Sequence, residues 1–363
     1  MIIHNDVQLD FDDVLIAPQT TTINHRAEVD IIRVFKDLKL RCVPIMSANM
    51  TQTGVFDVAR ELLREKFCAT LHKFYSADQI IDFLNTLDFD DDGVDDCIAA
   101  RRLFVTVGKR NWEDELKRLE TIKNSSAADF SILLDVPNAY IPEITDCVKT
   151  LREKYPEKII AVGNVCSGDE VQKLILAGAN LVKQGIGPST ICDTRIKTGC
   201  GRPQLSATIE CANAAHQVGG HIIVDGGFKT PGDFCKALVA GGDFCMSGKF
   251  FVGCEESNSQ RVVRLFQTDE VDPDTNGHIV VQKHYKEYWG MSSNRAMKEN
   301  YGKVTKAGTS EGVESTFVEY TGSIKDTIND ICGSLRSCGS YIGAKNIKTF
   351  SRQGMFYRVN RIK

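Results

Sequence analysis

Short apolar runs rich in β-branched residues recur along this chain, each with Gly, Asn, Asp or Lys at or next to its end and each followed by a stretch with helical spacing. They read PIMSANM (44–50), CATLHK (68–73), LFVTVG (103–108), FSILLDV (130–136), IIAVGNV (159–165), LVKQGIG (181–187), HIIVDGG (221–227) and DFCMSG (243–248). Between them, FDVARELLREK, WEDELKRLETIKN, IPEITDCVKTLREKY and GDEVQKLILAGA carry apolar residues at intervals of three and four. Ser167 and Thr230 stand where helix caps are expected. Eight continuous apolar runs, each suited to a strand buried on both faces, alternate with amphipathic helices, and this predicts an α/β fold of the (β/α)8 TIM-barrel type. A doubly wound open sheet is the rival, but it asks for a GxGxxG turn after the first strand, and the chain has none.

Polar residues punctuate the carboxyl ends of these runs: Asn49, His72 with Lys73, Asp135, Asn164, Gly185 to Gly187, Asp225, and Ser247 with Gly248. In a barrel these ends share one face, where barrel enzymes do chemistry, although any one of them alone reads equally as a loop-starting residue. Beyond the eighth run, RVVRLF and HIVVQKHY predict two short strands around an acidic, turn-rich excursion (268–277). KENYGKVTKAGTSEG then has the polar, glycine-containing character of a flap. The organisation expected is one catalytic barrel domain over 1–363, with flap and excursion within about 250–315.

Composition narrows the function. The chain has 363 residues, and a chain of that size buries roughly three quarters of its extended surface, so its core needs no staples. The 44 basic and 48 acidic residues leave a net charge of −4, and the one dense like-charge stretch is the short acidic 88–92, so no nucleic-acid footprint is expected. No apolar stretch reaches membrane-spanning length, and MIIHNDVQLDFDD places acids where a signal peptide has basic residues, so a cytoplasmic protein without membrane contact is expected. The 13 cysteines are odd in number, scattered and free of CxxC pairs, which argues against a disulfide framework or zinc site and for buried thiols.

Cys192 is the exception, because GIGPSTICDTRIKTGCGRPQLSA (185–207) folds it into a tight loop directly after a strand. Such a loop can turn carbonyls, a cysteine carbonyl among them, toward a weakly bound monovalent cation. It can equally present a thiol beside N–H groups and Arg195, which favours a nucleophilic thiolate. After the seventh and eighth strands lie the usual phosphate positions of a barrel. Asp225 would repel a phosphate and suits ribose hydroxyls, whereas Gly226, Gly227, Gly248 and Lys249 suit the phosphate, so the pattern is that of a nucleoside monophosphate site.

FDDVLIAP, PIMSANM, GIGPSTICDTRIKTG, GRPQLSA, IIVDGG, YWGMSS, TSEGVE and GSLRSCGSYIGAKNI together resemble the IMP dehydrogenase and GMP reductase family, with matches from Leu9 to Val359. The interval 73–103 is too short for the paired regulatory CBS module of most dehydrogenases, and the flap lacks their Arg-Tyr pair. LDVPNAY, GMSSNRAM and IKTGCGRPQLSATIECA resemble the reductase branch. The resemblance implies NADPH-dependent reductive deamination of GMP to IMP and ammonia through a covalent cysteine thioimidate, a step of purine nucleotide interconversion. An IMP dehydrogenase lacking CBS domains, oxidising IMP to XMP with NAD, is the alternative, and a nucleotide-binding regulatory barrel without turnover is a third reading.

On the matching positions the resemblance implies that Cys192 is the nucleophile and that Thr194 and Glu311 form an acid relay. It places Ser47, Gly290, Met291, Ser292, Ser310 and Gly312 around the nucleotide with Asp225, Gly226, Gly227, Gly248 and Lys249. For the cofactor it implies Lys73, Asp135, Val136, Ile186, Gly187 and a turn formed by Ser337, Cys338, Gly339 and Ser340. His25 and Arg26 would lie near the cofactor 2′-phosphate of a neighbouring subunit, which implies an oligomer, a homotetramer by resemblance. A potassium site would use Gly187, Ser189, Cys192 and Arg195, with Ser189 standing where the family usually has glycine. Ala307 and Gly308 replace a Tyr-Arg pair that many reductases carry before the flap's SEG.

Overall fold

The computed structural model describes residues 3, 5–87, 99–271, 277–302 and 310–360. Eight parallel strands close on themselves: β1 (Leu40–Ser47), β2 (Phe67–Leu71), β3 (Leu103–Val107), β4 (Ser131–Asp135), β5 (Ile160–Val165), β6 (Leu181–Gln184), β7 (His221–Asp225) and β8 (Phe244–Ser247). Closure is made by β8 on β1, through Cys245 opposite Ile45, Met246 opposite Met46 and Ser247 opposite Ser47. All eight strands fall within or directly beside the apolar runs. β1 starts earlier than its run because Arg33–Phe35 pairs antiparallel with its first residues.

Each strand is buried on both faces, and the two faces serve different cores. Met46, Cys68, Phe104, Leu133, Ala161, Leu181, Ile223, Phe244 and Met246 fill the barrel interior. Their chain neighbours Ile45, Ala69, Val105, Ile132, Leu134, Ile160, Val162, Val182, Ile222, Val224 and Cys245 face the surrounding helices. Those helices are Phe56–Arg64, Ala77–Asn85, Trp112–Ser125, Pro142–Lys154, Gly168–Leu176, Gln204–Gln217, Pro231–Val239 and Ile324–Ile342. Ser167 stands at the N-cap of Gly168–Leu176, but its hydroxyl pairs with Tyr140 Oη at 2.8 Å and not with the helix backbone. At the next predicted cap, Asp233 accepts the N–H groups of Lys229 (2.9 Å) and Thr230 (3.0 Å).

Between β8 and the last helix lies a three-stranded antiparallel sheet of β9 (Arg261–Val271), β10 (His278–Tyr288) and β11 (Thr316–Glu319). The two strands expected to be short run for 11 residues each, so 268–271 belong to β9 and not to a loop. Residues 272–276 of the excursion, 303–309 of the flap with Ala307 and Gly308, and the acidic run 88–92 lie outside the described residues. At the chain ends, Val14–Ile16 pairs antiparallel with Phe356–Arg358. Among the described residues no helix is long and apolar enough to cross a membrane.

Candidate active site

The loop after β6 is shaped by glycines that nothing larger can replace. Gly185 has φ +143°, and a Cβ there would meet the Asp225 carbonyl oxygen at 2.4 Å; Gly187 has φ +77°, and a Cβ there would meet Arg195 Cγ at 2.4 Å. Past these glycines the Cys192 N–H donates to the Ser189 carbonyl at 3.0 Å. The loop is then stitched to 310–313: Asp193 N–H donates to the Glu311 carbonyl (2.7 Å) and Val313 N–H to the Ile191 carbonyl (3.0 Å). Gly290 and Gly312 permit this approach, since a Cβ on Gly290 would lie 2.6 Å from the Ile191 oxygen and one on Gly312 2.6 Å from Ser293 N.

The stitching brings three side chains into line. Cys192 Sγ is 3.2 Å from Thr194 Oγ1, and the Thr194 hydroxyl donates to Glu311 Oε2 at 2.8 Å. All three are half-buried. A thiol, a hydroxyl and a carboxylate in series can carry a proton between the neighbourhood of the sulfur and the carboxylate.

Beside this relay a cleft of about 300 Å³ is lined by Pro188, Ser189, Thr190, Gly226, Gly227, Phe228, Lys229, Ser247, Gly248, Lys249 and Tyr288. Gly226 and Gly227 have φ of +80° and +87°, which turns the chain sharply away from β7. Asp225, at the end of that strand, is 22% exposed; its Oδ2 accepts from Lys183 Nζ and from Asn164 Nδ2, each at 2.8 Å. Tyr288 is buried under the cleft, and that burial pushes its hydroxyl pKa up, against a smaller opposing effect of its hydrogen bond with Ser189. The structure thus joins Asp225, Gly226, Gly227, Gly248 and Lys249 to the relay face. Met291 accepts on Sδ from Thr51 Oγ1 at 3.7 Å, Ser292 is exposed, and the Ser310 hydroxyl donates to the Gly312 carbonyl at 3.1 Å. Ser47 does not line this cleft; it is fully buried, its hydroxyl accepting from Thr70 N–H at 3.3 Å.

The candidate cofactor residues divide into two groups. Lys73, Asp135, Val136, Ile186 and Gly187 follow or end strands at the mouth of the barrel. Burial alone would raise the Asp135 carboxyl, but the Lys183 ammonium, then Lys73 and Asn49, hold it below its ordinary value. His72 is lowered to about 4, chiefly by burial, and so is uncharged at neutral pH. The second group sits elsewhere. Ser337, Cys338, Gly339 and Ser340 form no turn; they are late residues of the helix Ile324–Ile342. That helix returns from the mouth to the opposite rim, where Asp30 N–H donates to the Lys345 carbonyl at 2.9 Å and Gly339 packs on Val29. His25 and Arg26 are exposed in the same neighbourhood, His25 Nδ1 capping the turn Arg26–Glu28 by accepting from Ala27 N–H at 3.2 Å.

The residues around Gly187 fit a monovalent cation in their chemistry, being main-chain carbonyls on a glycine-turned loop. Serine at 189 does not disturb that path. Among the described residues the non-glycines with positive φ are Lys39, Lys66 and Asn111, so position 189 does not require glycine. The Arg195 side chain braces the loop from outside, donating to the Ile186 carbonyl (3.3 Å), to Asp10 Oδ2 (3.2 Å) and to the Arg202 carbonyl.

Sequence reading missed Lys183, Tyr288, Thr190, Lys229 and Asp10. Two of them carried a signal. A lysine inside the apolar run LVKQGIG is out of place unless paired, and Tyr288 immediately precedes the WGMSS stretch.

Fold and site together define the class: a (β/α)8 barrel enzyme with a thiol, a hydroxyl and a carboxylate in series beside an open, glycine-lined cleft at its carboxyl face. A family model described as the IMP dehydrogenase / GMP reductase domain matches residues 8–362. GMP reductase from Onchocerca volvulus is 38% identical over 99% of this chain and 93% of its own length. GMP reductase 2 from Homo sapiens is 39% identical over 99% and 96%, and GMP reductase from Shewanella halifaxensis 37% over 99% and 97%. The chain belongs to the IMP dehydrogenase/GMP reductase family and is an oxidoreductase enzyme.

Proposed function

We propose that this enzyme converts GMP to IMP and ammonia at the expense of NADPH, through a thioimidate on Cys192. The observation that carries this reading is the unbroken series Cys192–Thr194–Glu311, joined across 117 residues of sequence. Cys192 passes its thiol proton through Thr194 to the Glu311 carboxylate as Sγ attacks C2 of the guanine, and an electron pair moves onto the adjoining ring nitrogen. The exocyclic amine leaves poorly unless protonated, so Glu311, acting through Thr194, delivers the proton and ammonia departs with the C–N pair. NADPH, when bound, supplies hydride to C2. Cys192 then leaves as thiolate, and the purine product is IMP.

Asp225 holds the ribose hydroxyls, and the turn Gly226–Gly227 with Gly248, Lys249 and Tyr288 holds the phosphate, with Met291, Ser292, Ser310 and Gly312 along the base. Lys73, Asp135, Val136, Ile186 and Gly187 receive the nicotinamide end of NADPH. Carbonyls of Gly187, Ser189, Cys192 and Arg195 hold potassium and stiffen the loop. His25, Arg26 and the residues Ser337 to Ser340, at the opposite rim, reach a cofactor held by another copy of the chain, so the working form is an oligomer.

The assay is direct. Purified protein given GMP and NADPH is expected to consume reduced-nicotinamide absorbance and release ammonia in equal amounts. Formation of NADH from IMP and NAD, with no reaction of GMP, would overturn the reading in favour of the dehydrogenase.

A further inference from the structure

Lys183 is only 4% exposed, yet it carries a full charge inside the barrel. It lies two positions beyond Leu181 on β6, as Asp135 lies two beyond Leu133 on β4 and Asp225 two beyond Ile223 on β7. Leu133, Leu181 and Ile223 share the interior core, so by strand alternation the three polar residues also face the barrel interior, with Lys183 standing opposite Ile223 on β7. Lys183 Nζ is 2.8 Å from Asp135 Oδ1 and 2.8 Å from Asp225 Oδ2. To reach Asp135 it must pass over β5, where it stands opposite Gly163. A Cβ on Gly163 would come within 2.5 Å of Lys183 Cβ, so the missing side chain there leaves the space the lysine needs.

Burying an ammonium costs free energy that apolar packing would not, and a barrel interior is ordinarily closed by branched aliphatic residues. The arrangement therefore calls for a role beyond stability. Its two anions belong to different subsites: Asp225 borders the nucleotide cleft, and Asp135 lies beside Lys73 on the cofactor side. The bonds from Lys183 and Asn164 both fall on Asp225 Oδ2, which fixes the carboxylate in one orientation at the cleft edge.

We propose that Lys183 is a positioning residue that ties the ribose-side carboxylate Asp225 and the cofactor-side carboxylate Asp135 into one hydrogen-bonded unit, coupling the two binding subsites through a single buried charge. The inference rests on the proposed GMP and NADPH reading of those subsites.

The test replaces Lys183 and reads binding separately from turnover. In Lys183→Met the two carboxylates lose their shared cation, with Lys73 and Asn49 still facing Asp135 and Asn164 still bonded to Asp225, and their mutual repulsion raises their affinity for a proton. GMP affinity, measured by calorimetry without NADPH, should fall roughly 10- to 100-fold. KM for NADPH should rise with it, and both losses should deepen as pH increases from about 6 to 8 while the wild type stays flat over that range. Lys183→Arg, which keeps the charge, should recover part of both affinities and remove the new pH dependence. Lys183→Gln serves the same comparison should the methionine variant fail to fold. A folded Met or Gln variant with affinities for GMP and NADPH within about twofold of wild type, and an unchanged pH profile, overturns the coupling. Wild-type protein that binds GMP without turning it over overturns only the reaction, whereas wild-type protein with no affinity for GMP overturns both.

Discussion

At the scale of the residue, the decisive fact is that a cysteine in an ordinary-looking loop is bonded in series to Thr194 and Glu311. The sulfur and the acid have separable duties, and substitutions should separate them. Glu311→Gln keeps the hydrogen bond to Thr194 but cannot release a proton, so deamination should slow by roughly 10²- to 10⁴-fold. Thr194→Val should fall in the same range, because it cuts the path and keeps the shape. Neither variant should lose GMP affinity by more than a few-fold, because the residues proposed to hold ribose and phosphate lie elsewhere. Rapid mixing with GMP, read by quenched ammonia release, checks this; wild-type rates in Glu311→Gln would remove the glutamate from the relay. The loop that frames the thiol was legible from its glycines and proline. Lys183 was only half readable: a lysine inside an apolar run calls for a partner, but the strand pattern does not say that the partners are Asp135 and Asp225.

At the scale of the element, the same contrast recurs. The eight strands were legible because burial on both faces forces continuous apolar runs, and polar residues can enter only at their ends. The hairpin β9–β10 was only half legible. Apart from the end of β10 at Lys286 and Tyr288, its residues are mostly exposed, Leu265 at 67%, so no burial pattern marked how far the strands extend. Nor could the sequence show that Ser337 to Ser340 continue a helix, since small residues read as a turn where the helix packs closely on Val29 and Ala344. On the proposed reading, that helix and the segment around Arg26, placed away from Lys73 and Asp135, serve a cofactor held by a neighbouring copy of the chain. An Arg26→Ala chain should therefore show a raised KM for NADPH and unchanged GMP affinity, while a Cys192→Ala chain should be inactive. Mixed oligomers of the two should regain activity, because an intact Cys192 then meets an intact Arg26 from its neighbour. A mixture no more active than the sum of its parts, despite verified subunit exchange, would place Arg26 outside the site.

At the scale of the whole molecule, the two ends of the barrel are built for different tasks. The carboxyl end gathers the candidate chemistry, while the amino end is closed by a compact charge cluster. There Asp243, fully buried, accepts from Arg33 (2.6 Å), His216 Nε2 (2.8 Å) and the Ile222 N–H (3.0 Å). His221 bridges Asp243 (3.4 Å from Nδ1) and Asp37 (2.7 Å from Nε2), with the edge of its ring against Phe35. Burial works against a charged ring, but Asp243 and then Asp37 together raise the His221 pKa above its ordinary value. A histidine whose folded pKa is raised contributes stability that is complete below the unfolded value, about 6.5, and is lost as pH climbs through the folded value. The wild type should therefore exceed His221→Gln in stability by about 1 kcal/mol near pH 6, the partner Asp37 being largely exposed and its share screened. That advantage should shrink as the pH rises above about 6.5 and the ring loses its proton. Thermal unfolding across this range, with a chelator present because the His216, His221 and Asp243 ligand atoms lie within 4.8 Å of one another, measures it. An advantage that grows with pH would mean that the ring is neutral in the folded chain and that Arg33 alone balances Asp243.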